Sequence, residues 1–335
     1  MAWIALFAMQ MESDRCRCFG QEPRYAVTVR SPVTAALWDA HRNQIVIARD
    51  SELQCIDSDS LETSHTWQVN LEKITHLDLS SDGERLLVVG GDPGQRGCSA
   101  SLPWPYSPDS NSIDFEAQTP FAESHEIVLC ARWLNDLSGW VEVDWEGRIC
   151  ARDAQGRERL TFQGHTGPIL TMCLLERDAV VATAGVDASI KFWELTTGRL
   201  IVSLDNHTDR VIGLAPFFQE ERPVTAANPQ FPFVSVSSDR TVRLWNRKIG
   251  RLIRFARLET APRVMAWLPT RLQVAVALED HSVVLVDMET IQVTPLEDDR
   301  RDRVEAMLMV PNTDRLIVWR ASGAKSIPIS QPIRN

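Results

Sequence analysis

Residues 168 to 205 alternate between short apolar runs and shorter polar breaks: PILTMCLL, AVVATAGV, SIKFWEL and RLIVSLD, separated by ERD, DA and TTG. Each run is seven or eight residues long and rich in β-branched or aromatic side chains, the length and composition of strands closed by turn residues. Almost nowhere does an apolar stripe of helical period extend over a useful length. The pattern therefore predicts an all-β chain.

The pattern repeats. TAGVDASIKFWE at 183 to 194 and SVSSDRTVRLWN at 235 to 246 share one layout, with a hydroxyl residue, an aspartate and a tryptophan at matched spacing: Thr183, Asp187 and Trp193, then Ser235, Asp239 and Trp245. A histidine precedes each set, His165 in QGHTGPI and His207 in DNHTDRV. Comparable turn aspartates stand at Asp50, Asp92, Asp144 and Asp280, giving intervals of 42, 52, 43, 52 and 41 along the series of six. A period of about forty residues is the mark of a repeated four-stranded unit. The two long intervals hold GQRGCSASLPWPYSPDSNS and QEERPVTAANPQ, which read as loops by their Gly, Pro and Ser content. Seven inner-strand candidates follow: VTAALW, ITHLDLS, IVLCARW, PILTMCL, VIGLAPF, RVMAWLP and RVEAMLMV.

With the Gly164–His165 pair and the D-x-[ST]-[IV]-[KR]-[LF]-W run, this period resembles the WD-repeat β-propeller family. The resemblance is fullest over 164 to 246 and degenerate elsewhere between 23 and 330, where Ile56, Cys150 and Val286 hold the tryptophan position in the first, third and sixth units. It implies a seven-bladed β-propeller of four-stranded antiparallel blades over residues 23 to 335, with 1 to 22 a tail outside the fold. The last unit is short of a strand, and RYAVTVR at 24 to 30 is expected to supply it and close the ring. The resemblance further implies that His165, Thr183, Asp187 and Trp193 form one structural hydrogen-bonded set and His207, Ser235, Asp239 and Trp245 another. It also implies that the residues just before the turn aspartates, Arg49, Val143, Val186, Ser238 and Glu279, ring one mouth of the channel as a partner-binding face.

A Ser-His-Asp grouping can also be nucleophile, base and orienter. Here it occurs twice, once with threonine, and the hydroxyl belongs mid-strand with its lone pairs engaged, so the architectural reading is preferred. The inner strands are otherwise mainly apolar; His76, Asp78, Arg132 and Glu305 are the exceptions. A metal-assisted propeller hydrolase built on such residues is the alternative function, to be recognised by a converging ligand set.

Composition narrows the classes. Of 335 residues, 45 are Asp or Glu and 35 Lys or Arg, a net charge of −10, which disfavours an electrostatic grip on nucleic acid. The seven cysteines are scattered, four of them in apparent strands (Cys55, Cys130, Cys150, Cys173), where a thiol acts as a small hydrophobe in a reducing compartment. Cys16 and Cys18 lack a second pair at zinc spacing. The opening MAWIALFAMQM is too short an apolar run to span a bilayer. The run LEDDRRDRVE reads as a solvated connection between the last two units. These features lead to the expectation of a cytoplasmic, non-catalytic interaction scaffold. It would have no cofactor, metal, nucleic acid or membrane as ligand, would bind other proteins, and would be monomeric or part of a hetero-complex.

Overall fold

A computed structural model describes residues 31–106, 112–114, 120–175, 178–216, 232–246, 250–268, 272–297, 299–311 and 313–329. The proposed closing strand at 24 to 30, the cysteines at 16 and 18, and the loop at 219 to 230 lie outside them. The described residues contain strands and turns and no helix.

The strands form seven sheets arranged as a seven-bladed β-propeller, in each of which the first three strands are consecutive and antiparallel, running from the channel outward. The inner strands of blades 1 to 7 are Val33–Asp39, Ile74–Leu79, Val128–Trp133, Ile169–Leu175, Val211–Pro216, Pro262–Leu268 and Val304–Val310. Each contacts the inner strand of the next blade, and that of blade 7 contacts that of blade 1. Blades 2 to 6 have four strands; three strands of blade 7 are described.

Blade 1 carries a fifth, since Ser112–Ile113 runs parallel to its outer strand Thr63–Val69. This pair of residues explains the first long interval in a way the composition did not. GQRGCSASLP is not a loop: Arg96–Pro103 is the third strand of blade 2, fully paired with Arg85–Asp92. The insertion follows it and reaches back to blade 1.

A four-stranded blade has two apolar faces and can bury neither by itself. The core is accordingly divided into seven clusters, each lying between two adjacent blades. Between blades 4 and 5, for example, Phe192 and Ile190 pack against Trp245 and Phe233, with the Phe192 and Phe233 rings edge-on at 5.1 Å. At about 1.5–3 kcal/mol for each fully buried large side chain, these seams dominate the stability of the ring. The turn between the second and third strands repeats as well: Asp50, Gly147, Ala188, Arg240 and His281 each take a left-handed conformation there. At Gly147 the choice is forced, because a Cβ would lie 2.5 Å from the His165 carbonyl oxygen.

The seam between blades 7 and 1 is also fastened by a carboxylate. Glu305 Oε2 accepts the Val33 backbone N–H at 3.0 Å and lies 3.6 Å from the Arg49 guanidinium, with both side chains largely buried. Removing it strands a buried donor and a buried cation. Glu305→Ala is therefore expected to destabilise the protein by about 2–3 kcal/mol, with Glu305→Gln intermediate, as read from urea denaturation midpoints. Equal midpoints for wild type and Glu305→Ala would show that the seam does not depend on this contact.

Candidate functional site

In blade 4 the second and third strands, Val180–Gly185 and Ile190–Glu194, bring Thr183 and Trp193 under the loop that carries His165. Trp193 Nε1–H donates to Thr183 Oγ1 at 2.9 Å, Thr183 meets His165 Nε2 at 2.8 Å, and His165 Nδ1 lies 2.9 Å from Asp187. Blade 5 repeats this with Trp245 to Ser235 at 2.8 Å, Ser235 to His207 Nε2 at 2.7 Å, and His207 Nδ1 to Asp239 at 2.7 Å. One proton arrangement that satisfies every group of each chain has the indole donating to the hydroxyl, the hydroxyl to Nε2, and Nδ1–H to the carboxylate. Burial pushes the His207 pKa down, against the opposing pull of Asp239. Burial alone would raise Asp187 and Asp239, but hydrogen bonds from His165 and His207, with Ser189 and Thr241, hold both well below the usual carboxylate range. Thr183 and Ser235 are fully buried and have no open side from which a substrate could be attacked.

Blade 3 fills the same junction with different chemistry. The register aligns Val128 with Asp144 and Ile169 with Gly185, so Glu142 stands where Thr183 does. Its third-strand residue facing Trp140 is Arg152, just as Trp193 faces Val181. The expectation that Cys150 holds the tryptophan position is thus corrected: Cys150 is two residues early, and Arg152 occupies it. Arg152 Nε donates to Glu142 Oε1 at 2.7 Å, Ser124 Oγ to the same oxygen at 2.8 Å, and Trp140 Nε1 to Oε2 at 3.1 Å. Glu142, Arg152 and Trp140 are all buried.

The residues expected to ring one mouth separate into two groups. Trp145, Val186, Ser238 and Glu279 are equivalent, because the backbone N–H of each donates to the residue just before its blade's inner strand: Ile127, Pro168, Arg210 and Ala261. Val186 is 43% exposed, Glu279 is exposed and Trp145 is half-buried, while Ser238 is buried with Oγ accepting from Arg210 Nε at 3.1 Å. Arg49 and Val143 are not on this mouth, a correction to the expectation. Both lie within second strands, Arg49 buried against Glu305 and the Ser31 carbonyl, and Val143 fully buried between blades 3 and 4. Their turn aspartates sit one and two positions earlier, relative to the strand, than Asp187 does in blade 4. The residue the sequence reading missed in blade 3 is Trp145.

A collar of cations stands around this upper mouth. Lys73, Arg210 and Arg303 immediately precede the inner strands of blades 2, 5 and 7, and Arg263 is the second residue of that of blade 6. Burial lowers the Lys73 pKa, with Arg303 adding to the effect and Asp50 opposing it; burial likewise lowers Arg263, helped by Arg303 and Arg210 and opposed by Glu279.

At the opposite end of the channel is a cavity of about 620 Å³ whose wall is largely apolar, including Met172, Met265, Trp267, Met307 and Met309. Asp78 and Arg132 also line it, but they bond to each other at 2.7 Å, and Asp78 takes the Trp133 N–H at 2.7 Å, tying blade 2 to blade 3. Burial pushes the His76 imidazole down to about 3, with Arg132 adding to it. Glu305 belongs to the seam between blades 7 and 1. The four polar inner-strand residues therefore do not converge. Among the described residues no group of three His, Cys, Asp or Glu is placed to hold a metal ion.

Two measurements follow from the junctions. Trp193→Phe removes one donor and is expected to cost about 1–2 kcal/mol. Arg152→Ala leaves Glu142 charged and buried and is expected to cost about 3–5 kcal/mol; urea midpoints in the reverse order would contradict the equivalence of the two sites. Because His207 has a folded pKa below its unfolded value of 6.5, stability falls as the pH drops through 6.5. The depressed Asp187 and Asp239 add a further loss once the pH falls below their unfolded value of 3.8. Urea titrations across this range are expected to show monotonic acid destabilisation, and flat stability from neutral pH down to pH 4 would contradict it.

The sequence comparisons agree with this geometry. Residues 156–194 and 198–246 match the WD domain, G-beta repeat model, spanning the fourth strand of blade 3 to the third strand of blade 5. The chain is 32% identical over 91 residues to the transcriptional repressor rco-1 of Neurospora crassa, covering 27% of this chain and 14% of that protein. It is 32% identical over 95 residues to the mRNA export factor of Danio rerio, covering 28% and 23%. Against human striatin-3 it is 30% identical over 97 residues, covering 26% and 11%. The chain thus spans less than a quarter of each of these relatives. With the repeat model matched at two blades and the same strand register repeated around the ring, the chain is a seven-bladed β-propeller that carries WD repeats and is similar to the WD-repeat family.

Proposed function

We propose that the protein is a non-catalytic interaction scaffold and that the upper mouth of the channel receives a protein partner. The observation that carries this is the juxtaposition of Trp145 and Val186, two accessible apolar side chains on neighbouring blades 3 and 4, with the collar of Lys73, Arg210, Arg263 and Arg303. Apolar anchors within a polar rim are the usual composition of a recognition surface. A rigid ring presents them with little ordering on binding. Val186, Ser238 and Glu279 stay in the proposed face, joined by Trp145, while Arg49 and Val143 act in the fold. A protein partner fits the net charge of −10 better than nucleic acid does.

The buried polar sets are occupied in architecture, which is why a catalytic role is not assigned to them. The relatives carry names from gene repression and mRNA export, consistent with work inside hetero-complexes. Cys55, Cys130 and Cys150 are free thiols, and burial raises Cys55 to about 12 and Cys130 and Cys150 to about 11. Such unreactive thiols fit a reducing compartment, the cytoplasm or nucleus.

The test is a double variant, Trp145→Ala with Val186→Glu, used as bait in affinity purification from the native cell. The expected result is loss of the main partner recovered by wild type, with circular dichroism unchanged. Undiminished recovery by the folded double variant would overturn the assignment to this face.

A further inference from the structure

Every large apolar side chain that is exposed among the described residues belongs to blades 4, 5 or 6. Leu200 and Ile201 lie on the outer strand of blade 4, Arg199–Leu204, and Ile253 and Phe255 on that of blade 5, Arg251–Arg257, where Phe255 is 45% exposed. The two strands belong to adjacent blades. Val202 and Leu252 pack on the same core cluster, and a Cβ at Gly250 would meet Leu204 at 3.1 Å. Isolated exposed hydrophobics need no explanation, whereas two on one uncovered edge strand, Ile253 and Phe255, invite one.

The pair sits on a sheet edge. An unpaired outer strand offers a row of N–H and C=O groups to any extended chain, and proteins ordinarily blunt such edges. This molecule does so at several blades. Ser112–Ile113 covers the outer strand of blade 1; Pro295 interrupts that of blade 6, Gln292–Glu297; blade 2 ends in the four-residue strand Phe121–Ser124. The outer strand of blade 5 is seven residues long, has no proline and pairs outward with no other described strand. Blade 1 shows that a rim edge of this fold accepts an added strand.

Charge selects the occupant. In a chain of net charge −10, Arg251–Arg257 reads RLIRFAR, with three arginines and no acid. Arg254 donates to the Glu289 carbonyl of blade 6. Among the described residues neither Arg251 nor Arg257 has a carboxylate partner, and both are exposed. A second copy pairing through the same edge would bring like charges together across the ladder, which is unfavourable. An extended segment with alternating acidic and apolar residues would match both the arginines and the apolar side chains.

We infer that the outer edge of blade 5 is a docking site for an extended acidic segment of a partner protein, which adds to Arg251–Arg257 as a fifth strand. This surface is separate from the upper mouth, and its test does not depend on that assignment.

The probe is a fluorescein-labelled ten-residue peptide alternating Glu with Val and Leu, titrated against the full chain by fluorescence anisotropy at low and high salt. Saturable binding that weakens with salt is expected. It should be lost when two central residues of the peptide are replaced by proline, and should weaken at least about tenfold for Arg251→Glu/Arg257→Glu. The proline arm uses the wild-type chain, so it stands even if the variant folds poorly. Three results would each overturn the proposal: no binding at peptide concentrations up to about 1 mM, equal binding of the proline peptide, or a dimer of this chain in sedimentation that Phe255→Glu dissociates.

Discussion

No blade of this protein can bury its own faces, and the rest of the structure depends on that constraint. Each sheet has an apolar residue on nearly every inward position, and the seven core clusters all lie between blades. A single blade would expose two such faces to water, so the stable object is the closed ring. Closure in turn fixes the inner strands side by side and forces polar groups into the seams, where each needs a partner.

The junction between the second strand, the third strand and the incoming loop shows how flexibly that need is met. Blades 4 and 5 use indole, hydroxyl, imidazole and carboxylate in series; blade 3 uses a serine, a glutamate and an arginine in the same places. The geometry is common to these solutions and the residue types are not. That is why the repeat model matches only where the first solution is used, although the register is repeated around the whole ring.

The same fact sets what could be read from the sequence. The seven inner strands, the blade period and the spacing of both tetrads were legible because apolar runs and the Thr/Ser, His, Asp, Trp spacing are local. The register of blades 1 and 3 was not, since it was anchored on Asp50 and Asp144. Relative to the strand pairing these stand at different steps of the turn from Asp187. Anchored on aspartate, the reading chose Arg49, Val143 and Cys150; anchored on backbone pairing, it yields Asp50, Trp145 and Arg152. The third strand of blade 2 was missed because RGCSASLP is built of small residues, and only the pairing of Arg96–Pro103 with its neighbour shows it to be a strand. A further signal was present in WDWEGR: a tryptophan directly after the turn aspartate has no partner of its kind in the other units.

With the catalytic-looking residues absorbed into the seams, the proposed function rests on the upper mouth, where Trp145 and Val186 stand with half-buried cations in an otherwise acidic protein. The most direct measurement is hydrogen–deuterium exchange on the full chain, alone and in the complex it forms in its native cell. The account predicts slowed exchange in the turns around Trp145, Val186, Ser238 and Glu279 and in the segments leading into the inner strands at Arg210 and Arg303. Protection confined to the opposite mouth, around Met172, Met265 and Met307, with the upper turns unchanged, would contradict it.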